Sequence, residues 1–290
     1  MKRTIAIAAL MLPLAGGARG KQPDFTVGVS SHGSQWIDPH VAAAGAQPMF
    51  QIIANRAGLT ISQVRVLESK ELLKQLAAGK TNLAYLSSVD YLEASEEMKL
   101  LPLARPRVVG SDTYRLLLLV RRGGGPKRLQ DLRGRKIGLQ AHALLGRVYL
   151  KVLMARNKLP PPQRFFGEIR VRQKHQSAVL EVLLGEADAV LIPDVVLEVM
   201  AQLNPQLKRK LVAIHASRRF PQGPIVVPAS MPGDKVKRLR RVMTSLHKDP
   251  KGRQMLLTFH LNQLIPTKTA DYDDLKAFWR EYQNTMKQAK

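Results

Sequence analysis

The 290-residue chain contains no cysteine. It therefore makes no disulfide, holds no metal through a thiolate and offers no cysteine nucleophile. It also lacks the residue on which a bacterial lipid anchor would be built near its N-terminus. Aromatic residues are sparse, at 5%. Together with the lack of a recognition motif, that argues against nucleic acid as a partner. Acidic residues are few, 22 Asp and Glu against 46 Lys and Arg, for a formal charge of +24. No apolar run beyond the N-terminus is long enough to span a bilayer. Walker loops, Gly-x-Gly-x-x-Gly turns and serine-triad patterns are missing, so no enzyme and no cofactor is expected. Gly123, Gly124 and Gly125 make a turn and not a phosphate loop, because basic coil follows them.

Residues 1–20 read as an export signal. Lys2 and Arg3 form a charged start, Ile5–Leu14 is a short apolar core, and Ala18-Arg19-Gly20 places small residues at the two positions a signal peptidase inspects. A buried N-terminal strand is the alternative, but Thr26-Val27-Gly28-Val29 is the better first strand. The expectation is a soluble, exported, periplasmic chain. Its length suits two domains, each with a core. The positive field attracts anions, anionic membranes and nucleic acid alike. Lys208-Arg209-Lys210 and Lys235–Arg241 stand out as clusters; Arg238, Arg240 and Arg241 are expected on the wet face of a helix whose inner side is Val236, Leu239, Val242, Met243 and Leu246.

One supersecondary unit occurs twice. Ser69–Ala78 is an amphipathic helix with Ser69 as N-cap and Leu72, Leu73 and Leu76 on one side; Gly79 stops it, and a strand Leu83–Leu86 runs to Ser87-Ser88. Ser177–Leu184 is a helix carrying Val179, Val182 and Leu183; Gly185 stops it, and a strand Ala189–Ile192 runs to Pro193-Asp194. Such alternation predicts an α/β fold whose sheets are mixed and largely parallel, flanked by helices, with polar loops at the carboxyl ends of the strands.

Asp112–Leu139 holds the most informative segment. An apolar strand within Asp112–Arg122 ends in the Gly123–Pro126 turn, a helical turn Leu129–Arg133 follows, and then a second strand, Lys136–Gln140. A strand that leaves one compact unit and begins another is a hinge pattern. The draft is a first lobe of residues 21–115 plus 221–290 and a second of 116–220. Hinge crossings fall near 112–122 and 217–227, and helices near Asp234–His247, Pro250–Phe259 and Tyr272–Met286 complete the first lobe. Two crossings favour jaws that close over a cleft.

Leu72–Ala94 (LLKQLAAGKTNLAYLSSVDYLEA), the turn Asp131-Leu132-Arg133-Gly134-Arg135, the stretch His175–Val190 and Asp271-Tyr272-Asp273-Asp274-Leu275 occur in the order and spacing of a known family. The chain resembles the phosphate/phosphite/phosphonate-binding proteins of bacterial ABC importers, a branch of the type 2 periplasmic binding proteins. The resemblance implies a two-lobed fold and capture of a small anionic ligand for a membrane permease, by a monomer and without catalysis.

The family's Ser-Thr-Ser-Gly turn, whose hydroxyls and amides hold the phosphonate, is replaced here by Ala143-Leu144-Leu145-Gly146. The amides of a helix start survive and the hydroxyls do not. Each lost charge-assisted contact is worth about 1.5–3 kcal/mol, and a larger or partly apolar anion suits Leu144 and Leu145 better. His175 matches the family's histidine at a helix start; it is a donor to the ligand or, on the bland reading, a surface or capping residue. His142, after the strand Lys136–Gln140, either replaces the lost hydroxyls or faces solvent. Gln140 ends that strand. From the first lobe come Ser31, His32 and Trp36 in the Ser30–Trp36 loop, and Tyr85, Ser87 and Ser88 at the end of a strand. Trp36 covers an apolar part of the ligand or packs in the core; Tyr85 is core or site; the serines bind or cap. Asp194 faces the cleft, or pairs with a local arginine or lysine. Two rival readings share this fold: a metal-binding importer component using His32, His142 and His175, and a scaffold that presents its ligand to a membrane sensor kinase.

Overall fold

The computed structural model describes residues 25–31, 33 and 39–288; the predicted signal segment, His32 and Trp36 lie outside them. In chain order the first elements are β1 (Phe25–Ser30), α1 (Pro39–Arg56), β2 (Ile61–Leu67), α2 (Ser69–Ala77), β3 (Leu83–Tyr85), α3 (Ser88–Glu97), β4 (Leu100–Val108) and β5 (Thr113–Tyr114). Next come β6 (Leu116–Arg121), β7 (Lys136–Gln140), α4 (Leu144–Arg156), α5 (Pro162–Phe165), β8 (Glu168–Arg172), α6 (His175–Leu184), β9 (Ala189–Pro193), α7 (Asp194–Leu203), α8 (Gln206–Lys210) and β10 (Leu211–Ala216). The last are β11 (Phe220–Pro221), β12 (Ile225–Pro228), α9 (Gly233–Ser245), α10 (Pro250–Thr258), β13 (Leu261–Pro266) and α11 (Asp273–Gln288).

Two sheets carry the fold. One is six-stranded in the order β13-β4-β12-β3-β1-β2; the other is five-stranded in the order β10-β6-β9-β7-β8. Each is mixed. β1 runs parallel to β2 and β3, and β7 parallel to β8 and β9, whereas β12, β4 and β13 on one side and β6 and β10 on the other pair antiparallel. The helix–strand repeat thus predicts only the parallel half of each sheet; in the antiparallel half β6 and β12 enter directly from the β5–β11 ribbon, and β4, β10 and β13 flank them.

The repeated unit folds as its periodicity demands. Leu72 and Leu76 of α2 are buried and Leu73 packs beside them. Side chains as fully enclosed as Leu72, Phe50 and Ile53 each contribute about 1.5–3 kcal/mol of burial energy. Ser69 is not the N-cap of α2. Glu68 occupies that place, and Ser69 begins the helix with its hydroxyl turned to Asp90, 2.9 Å away. Helix α6 begins at His175, two residues ahead of the predicted start, and ends at Gly185, whose φ of +80° is the left-handed conformation a side chain would strain. In α9, Val236, Leu239 and Met243 are buried as expected, but Arg238 and Arg240 are not simply solvated: they donate to the carbonyls of Ala57 and Pro102.

Strand β4 has no counterpart in the sequence reading. It holds Pro102 and Pro106, which lack the N–H an interior strand uses, yet it lies between β12 and β13. A register shift at Ile225/Val226, opposite Ala104 and Pro102, accommodates the missing donor.

The sheets are joined by the two-stranded ribbon of β5 and β11, in which Tyr114 pairs with Phe220 and Thr113 with Pro221. Register fixes what the ribbon connects. Leu116, just after β5, pairs with Pro193 at the carboxyl end of β9, and Ile225, just after β11, pairs with Tyr85 at the carboxyl end of β3. The ribbon therefore leaves the carboxyl edge of both sheets, and those edges face one another. Aromatic rings back it: Tyr114, Phe220, Phe278 of α11 and Tyr149 of α4 follow one another at centroid distances of 6.3, 5.1 and 6.3 Å. Helix α11 packs on α4, where Arg156 and Glu281 form a bidentate ion pair.

Candidate functional site: two facing sheet edges

The first edge is the end of β1 and β3. Ser87 is the N-cap of α3; its hydroxyl accepts from the Asp90 amide at 3.0 Å, and the Asp90 carboxylate accepts from the Ser87 amide at 3.3 Å. The same Asp90 oxygen accepts from the hydroxyls of Ser30 and Ser69, each at 2.9 Å. Asp90 is only 5% exposed, so this hub binds the starts of α2 and α3 to β1. Sequence reasoning missed it, although Ser-x-x-Asp before an apolar run is a capping signature. Ser88 is buried, with its hydroxyl 3.3 Å from the Tyr114 hydroxyl on the ribbon. Tyr85 is core, its hydroxyl donating to the Gly33 carbonyl at 3.0 Å. Ser31 donates to Glu68.

The second edge is the end of β7, β8 and β9. The loop after β7 is tied to the end of β8 by Ala141 N–H to the Arg172 carbonyl at 2.8 Å and by the Gln140 side chain to the Gln173 carbonyl at 2.9 Å. Gln140 also accepts from the His142 amide, so its side-chain amide serves the turn. His142 is exposed. Ala143 is the N-cap of α4 and has no side-chain cap. Leu145 is 2% exposed, so its side chain is core and only its amide is left for binding. The amides of Leu145 and Gly146 receive no carbonyl among the described residues, as the first turn of a helix dictates.

His175 lies in the first turn of α6, two residues after Gln173, whose carbonyl accepts from the Gln140 side chain. It is 4% exposed, which rules out the surface reading, and neither ring nitrogen has a hydrogen-bond partner among the described residues. Burial lowers its pKa to about 4, so the ring is neutral near pH 7 and presents one donor and one acceptor. A buried polar ring without partners costs stability; that cost is recovered when something else supplies the hydrogen bonds.

Asp194 begins α7 and meets the ribbon. Its carboxylate accepts from the Arg115 and Val195 amides at 3.1 and 2.9 Å and lies 3.7 and 3.6 Å from the Arg115 and Arg219 guanidiniums. Burial raises its pKa. Arg115 and Arg219 come from the two crossings, and no spacing in the sequence announces them. Among the described residues no three His, Asp or Glu gather into a metal-holding group.

Two mixed α/β lobes joined by a two-stranded ribbon at their carboxyl edges define a periplasmic binding protein of type 2 architecture. A family profile described as the periplasmic substrate-binding protein of an ABC phosphonate transporter matches residues 35–272, and the chain belongs to that family. Solved structures share the fold. A binding-protein component of an ABC phosphonate transporter from Pseudomonas aeruginosa superposes with a TM-score of 0.71 at 15% identity, over 91% of this chain and 88% of that one. A Prochlorococcus marinus protein in complex with methylphosphonate gives 0.70 at 13%, over 89% and 98%. A Xanthomonas citri protein bound to ATP gives 0.65 at 18%, over 92% and 99%.

Proposed function

We propose that the protein captures a small organic anion between its facing sheet edges and delivers it to an ABC permease. Ligand contacts come from His175, His142 and the amides around Ala143–Leu145 on one side, and from Ser31, His32, Trp36, Ser87 and Ser88 on the other. The lobes divide at 115/116 and 220/221, residues 1–20 direct export, and the mature chain acts as a monomer. Closure follows because the ligand binds the closed form better than the open one.

The observation that carries this reading is His175: a ring enclosed by protein, with neither nitrogen partnered among the described residues, on the same sheet edge as a helix start with bare amides. The hydroxyl-free turn Ala143–Leu145 favours an anion with an apolar or extended substituent over bare phosphate. The test is a thermal-shift screen with phosphate, phosphite, sulfate, alkyl phosphonates and phosphoesters including ATP. A cognate ligand raises the apparent melting temperature by mass action, and His175→Ala weakens it by about 1–3 kcal/mol. Silence across the whole anion panel would sink the proposal; a cognate anion bound equally well by His175→Ala would remove that residue from the site.

A further inference from the structure

One basic region is left over by the ligand site. From Lys235 to Arg253 the chain carries eight Lys and Arg and a single acidic residue, Asp249. Asp249 is already neutralised by a bidentate pair with Arg56. Lys237, Arg241, Lys248 and Lys251 are exposed and have no carboxylate partner among the described residues. Lys237 and Arg241 follow one face of α9, Lys248 continues it past the helix end, and Lys251 and Arg253 extend the charge onto α10. Both helices pack on α1, so they share one side of the six-stranded sheet.

An apolar residue stands among these cations. Leu257 of α10 is 65% exposed, one helical turn beyond Arg253. Val41 of α1 is also exposed, one turn before Gly45, against which the Phe259 ring packs. Unpaired cations around a protruding leucine match what binds the headgroup layer of an anionic bilayer: charge attraction brings the face down, and the apolar side chain enters the interface. Among the described residues no helix is long and apolar enough to cross a membrane, so contact of this kind is peripheral.

We infer that the α9–α10 face docks reversibly on anionic phospholipid, holding the binding protein near the bilayer in which a permease sits. The inference does not depend on which anion the cleft takes, because neither helix supplies a residue to that site. It is tested with the full-length mature chain by co-sedimentation with vesicles of phosphatidylglycerol and phosphatidylcholine. The wild type binds them, binding falls steeply with added salt, and vesicles of phosphatidylcholine alone are left in solution. Lys237→Gln/Arg241→Gln/Lys251→Gln weakens binding roughly a hundredfold, the product of three cations near the surface. Lys158→Gln/Arg164→Gln/Lys210→Gln removes the same charge elsewhere and loses far less, and melting curves confirm that both variants fold. Leu257→Ser weakens binding severalfold and leaves the salt dependence unchanged. Equal losses in the two triple variants would reduce the effect to net charge and overturn the docking face, as would equal binding to phosphatidylcholine. Wild-type binding by Leu257→Ser would overturn the insertion of that side chain.

Discussion

At the carboxyl edge of the six-stranded sheet, two serine hydroxyls and a backbone amide converge on one buried carboxylate oxygen of Asp90. At the facing edge of the five-stranded sheet, a histidine is buried with neither nitrogen partnered among the described residues, and α4, on the same edge, opens with bare amides. The two edges come from the same helix, strand and polar-tip unit, yet the Asp90 carboxylate is satisfied internally and the His175 ring, among the described residues, is not. Saturated groups hold elements together; unsatisfied ones are where an outside partner gains most.

The comparison breaks most visibly at Asp90. Asp90→Ala removes three hydrogen bonds, one fully buried and two half-buried, and leaves the Ser30 and Ser69 hydroxyls to pair with each other at 3.2 Å, for an expected loss of about 2–3 kcal/mol in a denaturant melt. If stability held and only ligand affinity fell, Asp90 would belong to the binding site and the contrast between the edges would fail. On the other side, His175 is kept neutral by burial, with a pKa of about 4 against 6.5 for the free side chain. The unfolded chain then binds the extra proton between those values and the folded one does not, so stability is complete above about pH 6.5 and declines as pH falls toward 4. The decline reaches about 3 kcal/mol, and His175→Leu abolishes it. Equal acid sensitivity in wild type and variant, followed by chemical denaturation at stepped pH, would falsify the assignment.

The ribbon between the edges gives smaller effects. A β-carbon at Gly223 would lie 2.0 Å from the Leu86 carbonyl oxygen, so Gly223→Ala forces the ribbon away from β3 and costs about 2 kcal/mol in a thermal melt. Wild-type stability would mean the approach relaxes freely. Asp194→Asn removes ion pairs longer than 3.5 Å to half-exposed arginines and costs about 1 kcal/mol or less. Titration calorimetry separates this structural role from a ligand contact: loss of a cognate ligand beyond about tenfold, or 1.4 kcal/mol, would return Asp194 to the site.

Much of this is legible in the sequence. The glycine-stopped helices, the strands at Lys136–Gln140 and Ala189–Ile192 and the inner face of α9 follow from local periodicity, and the order of the motifs points to the family. Strand β4 was not legible, because Pro102 and Pro106 read as interruptions and only pairing with β12 and β13 makes that segment a strand. Ser69 departs from its expected cap role for a related reason. Its composition suits a cap, but a carboxylate twenty-one positions away offers its hydroxyl a better acceptor.

The sequence alone determined the α/β class, the crossing segment near Asp112 and the exchange of hydroxyls for leucines at Ala143–Gly146, since each is a matter of spacing and residue type within one stretch of chain. Only tertiary structure decided which polar residues are occupied. Asp90 with its serines, Asp194 between Arg115 and Arg219, and His175 with no partner among the described residues differ in what surrounds them, and burial and hydrogen bonding depend on residues brought together from distant parts of the chain.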